Sequence, residues 1–179
     1  MVEQLLADVC RASGLGAVSL RYFNAAGASL SGGIGESHDP ETHLIPNVLK
    51  SAVGDGAPLK VFGADYQTPD GTCVRDYIHV DDLARAHLAA LDFMDRETGF
   101  HAFNLGNGRG FSVLEVIRAA EKVTEREIDF NVAPRRTGDP AILVASSLRA
   151  ADRLAWRPEF KNLETIIRSA WTWERNRGF

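Results

Sequence analysis

Two short segments carry arginines in positions suited to bind an anion. Arg75 lies where a polar loop gives way to a strand-like run at 77–80, and Arg135 and Arg136 are adjacent in a loop bounded by prolines. A guanidinium group holds a fixed charge and five donors in a planar fork that matches phosphate oxygens. Asp139, three residues after Arg136, could accept hydrogen bonds from a diol such as a ribose. These residue types suit a ligand with phosphate and hydroxyl groups.

A purely structural role is the alternative for each segment. Arg75 is close in sequence to Asp76 and Asp81, and arginine–carboxylate pairs of this kind are common. Taken alone, pairing with one of these two aspartates is the favoured interpretation for Arg75. The adjacent arginines could likewise form a solvated charge cluster, and both interpretations stay open there.

Asn24 and the loop after it form a further candidate site. A predicted strand at 17–23 ends at Asn24, and open α/β sheets bind ligands at that edge. An amide at this position can hydrogen-bond a hydroxyl group. The loop at 25–42 is long and glycine-rich, which is typical of a functional segment and equally of a tolerant surface loop. His43 follows at the start of a predicted helix, where a plain polar contact is favoured over a general base.

The glycine-rich turn at 106–110 follows a predicted strand and precedes a predicted helix, as in dinucleotide-binding folds. The G-x-G-x-x-G spacing fails because Phe111 occupies the place of the third glycine. A bulky ring there would block the close approach of helix and strand that this glycine permits. A tight structural turn is therefore the favoured interpretation.

The composition excludes several classes of protein. The chain has 179 residues, of which 45% are hydrophobic and 25% charged, an ordinary globular composition. A net charge of −4 argues against a nucleic-acid-binding platform. Cys10 and Cys73 show no C-x-x-C motif and no Cys/His metal spacing, so neither a disulfide framework nor a metal site is predicted. No apolar run reaches the roughly 20 residues that span a bilayer, and a cytoplasmic protein without membrane partners is expected.

The hydrophobic pattern predicts an α/β protein with a parallel sheet. A helix, a tight turn at Gly14 and a strand open the chain and form part of a β-α-β unit. Ser112 with Glu115 three residues later predicts a capping box. Helices are predicted at 1–13, 43–53, from 81 or 82, from 112, from 146 or 147 to 154 and from 162, and strands at 17–23, 59–62, 77–80, 103–105 and 128–132.

A helix is predicted directly after the strand at 77–80. Asp81 or Asp82 is expected to cap it. Its apolar face is predicted from the helical spacing to comprise Leu83, Ala84, His87, Leu88 and Leu91.

Five runs of the sequence are distinctive when they are taken in order. They are L-R-Y-F-N at 20–24, V-F-G-A-D-Y at 61–66, D-G-T-C-V-R-D-Y-I-H-V-D-D-L-A at 70–84, N-L-G at 104–106 and A-P-R-R-T-G-D at 133–139. With these runs the sequence resembles the C-terminal part of the UDP-glucose 4-epimerase family, within the extended short-chain dehydrogenase/reductase superfamily. The resemblance covers nearly the whole chain.

The resemblance implies an α/β fold in which the last part of a doubly wound parallel, Rossmann-like sheet is joined to a smaller mixed α/β substrate-binding domain. The implied domain parts are 1–24, the tail of the NAD-binding domain; 25–101, a substrate-binding region whose helix returns to the NAD domain; 102–118, a strand and helix near the domain junction; and 119–179, the substrate-binding domain.

The same resemblance implies roles for residues in the first part of the chain. Phe23 would touch the NAD cofactor near its nicotinamide, and Asn24 would contact the sugar. His43 and Leu44 fall where the family contacts the diphosphate-sugar, although many members have asparagine in place of His43. The backbone of Lys60, Val61 and Phe62 would hold the uracil.

Residues of the arginine segments receive roles that agree with their chemistry. Arg75 and Arg136 would clamp the diphosphate, and Asp139 would contact the ribose. These implied roles make a diphosphate clamp the favoured interpretation of Arg75. Leu143 lies where a bulkier residue narrows the sugar pocket in some members, so acceptance of an N-acetylated sugar stays open.

The family chemistry resembles a reversible oxidation of the sugar 4-hydroxyl group, in which bound NAD takes and returns a hydride. It requires a Tyr-x-x-x-Lys pair, whose lysine lowers the pKa of the tyrosine so that it can act as a base. Residues Ala26, Asp70 and Asp81 stand four positions after Tyr22, Tyr66 and Tyr77, so this sequence contains no such pair. No catalytic residue is therefore predicted in this chain.

These absences lead to the expectation of a truncated chain that begins just past the catalytic lysine. Alone, it would be inactive, and NAD would be bound mostly by the missing N-terminal half. A homodimer is possible for the full-length protein. The alternatives are a related UDP-sugar epimerase or dehydratase, such as a UDP-glucuronate epimerase, and a non-catalytic UDP-sugar-binding module.

Overall fold

A computed structural model describes residues 1–54 and 58–176 of the chain. Helices are interspersed with single strands or short runs of strands along these residues. The elements are α1 (Val2–Ser13), β1 (Gly16–Arg21), β2 (Asn24–Ala26), α2 (Leu44–Val53), β3 (Leu59–Phe62), β4 (Val74–Arg75), β5 (Tyr77–His79), α3 (Val80–Met94), β6 (Gly99–Asn104), β7 (Phe111–Ser112), α4 (Val113–Thr124), β8 (Phe130–Ala133), β9 (Ile142–Leu143), α5 (Leu148–Arg153) and α6 (Leu163–Asn176).

Parallel pairing dominates among the strands, which confirms the predicted α/β class. β1 pairs with β6, β2 with β5 and β3 with β8, all in parallel. The short strand β4 lies between β9, which is parallel to it, and β7, which is antiparallel. Each parallel pair is separated in sequence by a crossover that contains at least one helix, as parallel pairing requires. Asn24 opposes Tyr77 in the β2–β5 register, so the predicted strand-end asparagine lies beside the run that carries Arg75.

Buried apolar side chains form two clusters. The sheet cluster joins β5, α3, β6 and α5, and it comprises Ile78, Leu83, Ala86, Phe93, Phe103, Leu105, Ala150, Leu154 and Trp156. The helix cluster joins α2, α4 and α6 over β3, and its fully buried members include Val48, Leu49, Val61, Val116, Ile166 and Ile167. The implied boundaries at 24, 101 and 118 stay a prediction. Among the described residues, no helix has the length and apolar character needed to cross a bilayer.

Local signals in the sequence predict several element ends correctly. Gly14 ends α1 in the left-handed conformation, with φ of 74°. Ser112 and Glu115 form the predicted capping box at the start of α4. Asn162 accepts a hydrogen bond from the backbone N–H of Thr165 at 3.1 Å and so caps α6. β6 begins earlier than predicted, and the short strands β2, β4, β7 and β9 were not predicted.

The predicted cap of α3 is wrong. His79, the last residue of β5, is the N-cap, and its Nδ1 accepts a hydrogen bond from the backbone N–H of Asp81 at 3.1 Å. Asp81 instead accepts from the backbone N–H of Leu30 at 3.1 Å, which ties the loop after β2 to this helix. Asp82 is fully buried, and its carboxylate binds the segment between α5 and α6 instead of capping α3.

The predicted apolar face of α3 is also wrong, apart from Leu83. Leu88 and Leu91 are 63% and 55% exposed, and Ala84 and His87 are exposed as well. The buried stripe is instead formed by Asp82, Leu83, Ala86, Ala90 and Phe93. The helix is rotated in this way because Asp82 and Trp156 connect it to the segment after α5. Trp156 donates from its indole Nε1 to the backbone carbonyl of Asp82 at 2.9 Å.

The buried carboxylate of Asp82 holds the chain between α5 and α6 against α3. Its two oxygens accept from the backbone N–H groups of Glu159 and Phe160, each at 3.0 Å. Arg85, one helical turn later, pairs with the same carboxylate. Because a buried charge is costly unless it is paired and hydrogen-bonded, this complete set of partners makes the buried aspartate tolerable.

Replacing Asp82 with alanine should therefore destabilise the fold strongly. Asp82→Ala leaves two buried N–H donors without an acceptor, and we expect the free energy of unfolding to fall by about 3 kcal/mol. Urea denaturation followed by circular dichroism measures the change. The matched control is Asp92→Ala, on an exposed position of the same helix, which should change the free energy by no more than about 0.5 kcal/mol. Equal effects of the two substitutions would contradict this assignment of Asp82.

His79 is buried between α3 and α6 in a setting that fits only the neutral imidazole. Its Nδ1 accepts from Asp81, and its Nε2 lies 3.0 Å from the hydroxyl oxygen of Ser169. That hydroxyl donates to the carbonyl of Ile166 at 2.8 Å, so Nε2 must carry the proton that is donated to Ser169. Burial lowers the pKa of His79 below its ordinary value, although the nearby Asp81 and Asp82 oppose the shift.

The stability of the fold should therefore decrease on acidification. Between the lowered pKa of folded His79 and the ordinary value near 6.5, the unfolded chain binds a proton that the folded chain does not. His79 should contribute at most about 1.4 kcal/mol per pH unit to the loss of stability below pH 6.5. The difference in free energy of unfolding between the wild type and His79→Gln should thus shrink between pH 7.5 and pH 5.

Two measurements test this expectation independently. Urea denaturation of both proteins across this pH range gives the difference, in which the other titrating groups cancel. An NMR titration of the His79 ring in the wild type should show a midpoint below the ordinary one. A constant difference in stability together with an ordinary midpoint would refute the neutral assignment.

Candidate functional site

A cavity of about 550 Å³ lies between α2, β3 and the strands β4 and β5. It brings together most of the residues that were predicted to contact substrate, although they come from distant parts of the sequence. The predicted residues that line it are Asn24, His43, Leu44, Lys60, Phe62, Arg75, Arg136 and Asp139. A small neighbouring cavity of about 30 Å³ shares Asn24, His43, Leu44 and Tyr77 with it.

The guanidinium group of Arg75 lies in the cavity wall with a carboxylate partner. It donates from Nη2 to Asp139 and from Nη1 to the carbonyl of Val74, the latter at 2.8 Å. The side chains of Arg75 and Asp139 are only 12% and 27% exposed. The alternative structural pairing of Arg75 with Asp76 or Asp81 is therefore not formed, and the partner is Asp139, the aspartate that was predicted to contact a ribose.

Asp76 cannot pair with Arg75 because its carboxylate is buried on the other side of the chain. Successive residues of an extended strand point to opposite faces. Asp76 accepts from the backbone N–H groups of Asn107 at 3.0 Å and Ala145 at 3.2 Å. Burial raises the pKa of Asp76, and these backbone donors offset part of that effect. Its role is to join three segments behind the cavity wall.

The glycine-rich turn at 106–110 is a tight structural turn, as predicted. Asn107 in this turn donates from its backbone to Asp76 and from its side-chain amide to the carbonyl of Tyr77. A Cβ atom at Gly106 would lie 2.6 Å from an Asp76 carboxylate oxygen and 2.7 Å from the Cβ of Ala145. Only glycine allows this approach, so the glycine serves packing behind Arg75.

The two adjacent arginines have different environments. Arg136 lines the cavity and stacks on Phe62, with its guanidinium carbon 4.0 Å from the ring centroid. Arg135 stacks on Tyr66 at 4.2 Å and pairs with Asp65, outside the cavity. Arginine stacked on an aromatic ring is held in position while its donors stay available for an anion.

Three of the predicted contact residues do not line the cavity. Val61 is buried in the helix cluster, although its backbone belongs to β3 beside Lys60 and Phe62. Leu143 lies in β9, where it pairs with Arg75 in the strand register. Phe23 is exposed after the end of β1. The roles predicted for these three residues stay predictions.

Several other residues that line the larger cavity were not predicted from the sequence. Cys73 and Tyr77 flank Arg75 in the wall, and burial raises the pKa of both side chains, so neither supplies a base near neutral pH. Asn47 and Lys50 follow His43 on α2, one and two helical turns later. Helical spacing from His43 would have identified both residues as lying on the same face of α2 as His43.

Asn24 and His43 are positioned at one end of the cavity. The amide of Asn24 donates to the carbonyl of Asp76 at 2.8 Å, which fixes the side chain beside Tyr77. His43 is the N-cap residue of α2, and its Nδ1 lies 2.7 Å from a carboxylate oxygen of Glu36. The plain polar role predicted for His43 assumed that no carboxylate was near, whereas the loop at 25–42 brings Glu36 to it.

The residues suit a diphosphate-sugar better than a dinucleotide pyrophosphate. Arg75 and Arg136 offer charged donors in the cavity wall, while Asp139 offers an acceptor for hydroxyl groups. Aromatic Tyr22 and Phe23 are exposed at the carboxyl end of β1, where a sheet of this type contacts its cofactor. The G-x-G-x-x-G spacing that holds the pyrophosphate of a dinucleotide is absent from the sequence, because Phe111 occupies the place of its third glycine.

Comparison with known proteins identifies a family and several similar enzymes of one kind. Residues 1–106 match the family model described as the NAD dependent epimerase/dehydratase family. The UDP-glucose 4-epimerase of Halalkalibacterium halodurans is 51% identical over 174 residues, which are 97% of this chain and 52% of that protein. That of Lacticaseibacillus casei is 51% identical over 170 residues, covering 95% of this chain and 51% of the relative. The chain thus spans about half the length of the curated relatives it matches.

Solved structures agree with the sequence relatives. The UDP-glucose 4-epimerase of Bifidobacterium longum in complex with NAD+ and UDP superposes with a TM-score of 0.92 at 44% identity, covering 99% of this chain and 53% of that one. The enzyme of Brucella ovis in complex with NAD gives a TM-score of 0.90 at 48% identity, covering 94% and 52%. The Rossmann-like α/β fold and the resemblance to UDP-glucose 4-epimerases are therefore confirmed. The chain belongs to the NAD dependent epimerase/dehydratase family.

Proposed function

We propose that this chain supplies the UDP-sugar side of a UDP-glucose 4-epimerase site. The observation that carries the proposal is the joint placement of Arg75, Arg136 and Asp139 in the wall of one cavity. The solved B. longum enzyme, which is similar over nearly the whole chain, binds UDP. The substrates would be UDP-glucose and UDP-galactose, interconverted in cytoplasmic galactose metabolism through a 4-keto intermediate.

The geometry suggests how a diphosphate would enter. Arg75 donates to Asp139, so each of these two charges has a partner in the partly buried wall. A bound diphosphate would replace Asp139 as the partner of Arg75. It would also accept hydrogen bonds from the guanidinium group of Arg136. The carboxylate of Asp139 would then accept hydrogen bonds from the ribose hydroxyl groups.

The remaining lining residues would orient the nucleoside and the sugar. The backbone of Lys60, Val61 and Phe62 in β3 would hold the uracil, and Phe62 already supports Arg136 by stacking. Asn24 and His43, at the other end, would contact the sugar and the phosphate nearest to it. A leucine at 143 would leave room in the sugar pocket.

Hydride transfer needs groups beyond this chain's own cavity. NAD, when bound, would accept the hydride from the sugar and return it, and Phe23 would contact its nicotinamide. The 179 residues contain no Tyr-x-x-x-Lys pair, and burial raises the pKa of Tyr77 in the wall. We therefore propose that this chain alone binds UDP-sugars without turning them over.

Removing the guanidinium of Arg75 should weaken diphosphate binding selectively. We expect Arg75→Ala to lower the affinity for UDP at least about tenfold, because a charge-assisted hydrogen bond contributes roughly 1.5–3 kcal/mol. Arg75→Lys should recover only part of the loss, since an ammonium group cannot make the bidentate contact. Isothermal titration calorimetry of the purified chain with UDP measures both.

Two controls make the result specific. Arg11→Ala removes an exposed arginine of α1, whose partner is Asp8, and should leave UDP affinity unchanged. Affinity for uridine, which lacks phosphate, should be the same in the wild type and Arg75→Ala. Unchanged UDP binding in Arg75→Ala would refute the proposed diphosphate clamp.

A further inference from the structure

Four side chains converge at the start of α2, and one of them, His43, also lines the cavity. His43 Nδ1 lies 2.7 Å from Glu36 Oε1 and 3.0 Å from Glu41 Oε1. His38 Nδ1 lies 2.9 Å from Glu36 Oε1 and 4.0 Å from Glu41 Oε2. One potential ligand atom from each of the four residues lies within 4.8 Å of the others. This His/Glu cluster comprises two imidazole nitrogens and two carboxylates.

Contacts outside the cluster hold its members in place. The side chain of Glu41 is only 5% exposed, and its Oε1 accepts from the backbone N–H groups of Thr42 and His43, each at 2.8 Å. The indole of Trp173 on α6 donates to the carbonyl of Glu36 at 2.9 Å. Gly35 packs so tightly on this indole that a Cβ atom there would overlap the ring. The geometry thus belongs to a packed loop anchored to α2 and α6.

Two carboxylates and two imidazole nitrogens share the centre of the cluster. Two glutamates contribute a formal charge of −2, and a neutral imidazole brings a single N–H proton. Glu36 Oε1 lies within hydrogen-bonding distance of both Nδ1 atoms, and His43 Nδ1 lies within that distance of both carboxylates. A divalent cation bound by two neutral imidazoles and two carboxylates would bring the total charge to zero.

The donor set indicates the class of cation. Two nitrogens and two carboxylate oxygens suit zinc and related borderline transition metals, whereas Ca²⁺ and Mg²⁺ prefer oxygen ligands. Tetrahedral Zn²⁺ with bonds of about 2.0–2.2 Å places its ligands roughly 3.3–3.6 Å apart. The nitrogen–oxygen separations of 2.7 to 4.0 Å lie on both sides of this range. Small movements of side chains would therefore complete the coordination.

We propose that Glu36, His38, Glu41 and His43 bind a divalent transition-metal ion, with Zn²⁺ as the best match. The sequence predicted no metal site because it lacks Cys/His spacing. The pattern here, E-x-H-x-x-E-x-H over 36–43, mixes carboxylates with histidines and so differs from that spacing. The bound ion cross-links the loop to the start of α2. Since His43 also lines the larger cavity, the ion fixes the orientation of one residue in that wall.

Metal titration of the chain, purified without a histidine tag and stripped with a chelator, tests the site. Co²⁺ should bind at one ion per chain with the strong visible absorption of tetrahedral cobalt, and Zn²⁺ should displace it while Mg²⁺ should not. His38→Ala and Glu41→Gln should each weaken Zn²⁺ binding at least about tenfold. His101→Ala is the matched control, because His101 contacts the carbonyl of Thr98 far from the cluster, and it should bind as the wild type does.

A second pair of measurements separates lost binding from lost folding. Zn²⁺ should raise the Tm of the wild type and of His101→Ala but not that of His38→Asn, while circular dichroism without metal should be the same for all three. UDP affinity measured without metal should be unchanged in His38→Asn, so failure of the metal site and failure of the diphosphate clamp are distinguishable. Zn²⁺ binding of equal affinity in wild type, His38→Ala and Glu41→Gln, or no binding at all, overturns the proposal.

Discussion

The buried carboxylate of Asp76 is the constraint on which the arrangement of the cavity depends. It accepts backbone donors from the turn after β6 and from the segment after β9, and so joins three stretches of chain behind the wall. Because successive residues of an extended chain point to opposite faces, burial of Asp76 places the side chain of Arg75 on the opposite side, in the cavity wall. The position of the arginine is therefore set by the hydrogen bonds of its neighbour. This explains why an acidic residue directly beside an arginine does not neutralise it.

Arg75 and Asp139 compensate each other's charge in the wall. Arg75 and Asp139 are both mostly buried, and each would be costly without the other. Their pairing keeps the two groups close to where a diphosphate and a ribose would require them. Arg136 is held by stacking on Phe62 instead, which leaves its donors without a competing carboxylate among these contacts. The wall therefore combines one paired and one stacked arginine.

Parts of this site could be predicted from sequence because they depend on residue type and nearby positions. The guanidinium of Arg75, the acceptor at Asp139 and the capping box at Ser112 follow from local chemistry or short spacing. The choice between Arg135 and Arg136 could not be predicted, because it depends on which of Tyr66 and Phe62 each one meets after folding. The resemblance to a family supplied that choice, and composition alone did not. The carboxylates around His43 were missed because a glycine-rich loop gives no periodic signal.

The error on α3 has a different physical origin. The helix carries apolar residues on more than one side, so its periodicity identifies a helix without specifying which stripe is buried. Leu83 and Phe93 pack inward with Ala86, while Leu88 and Leu91 remain exposed. The rotation is decided by Asp82, a polar residue that is buried because distant backbone N–H groups at 159 and 160 need its oxygens. A hydrophobicity pattern assigns such a residue to the surface, and hence places the whole helix in the wrong phase.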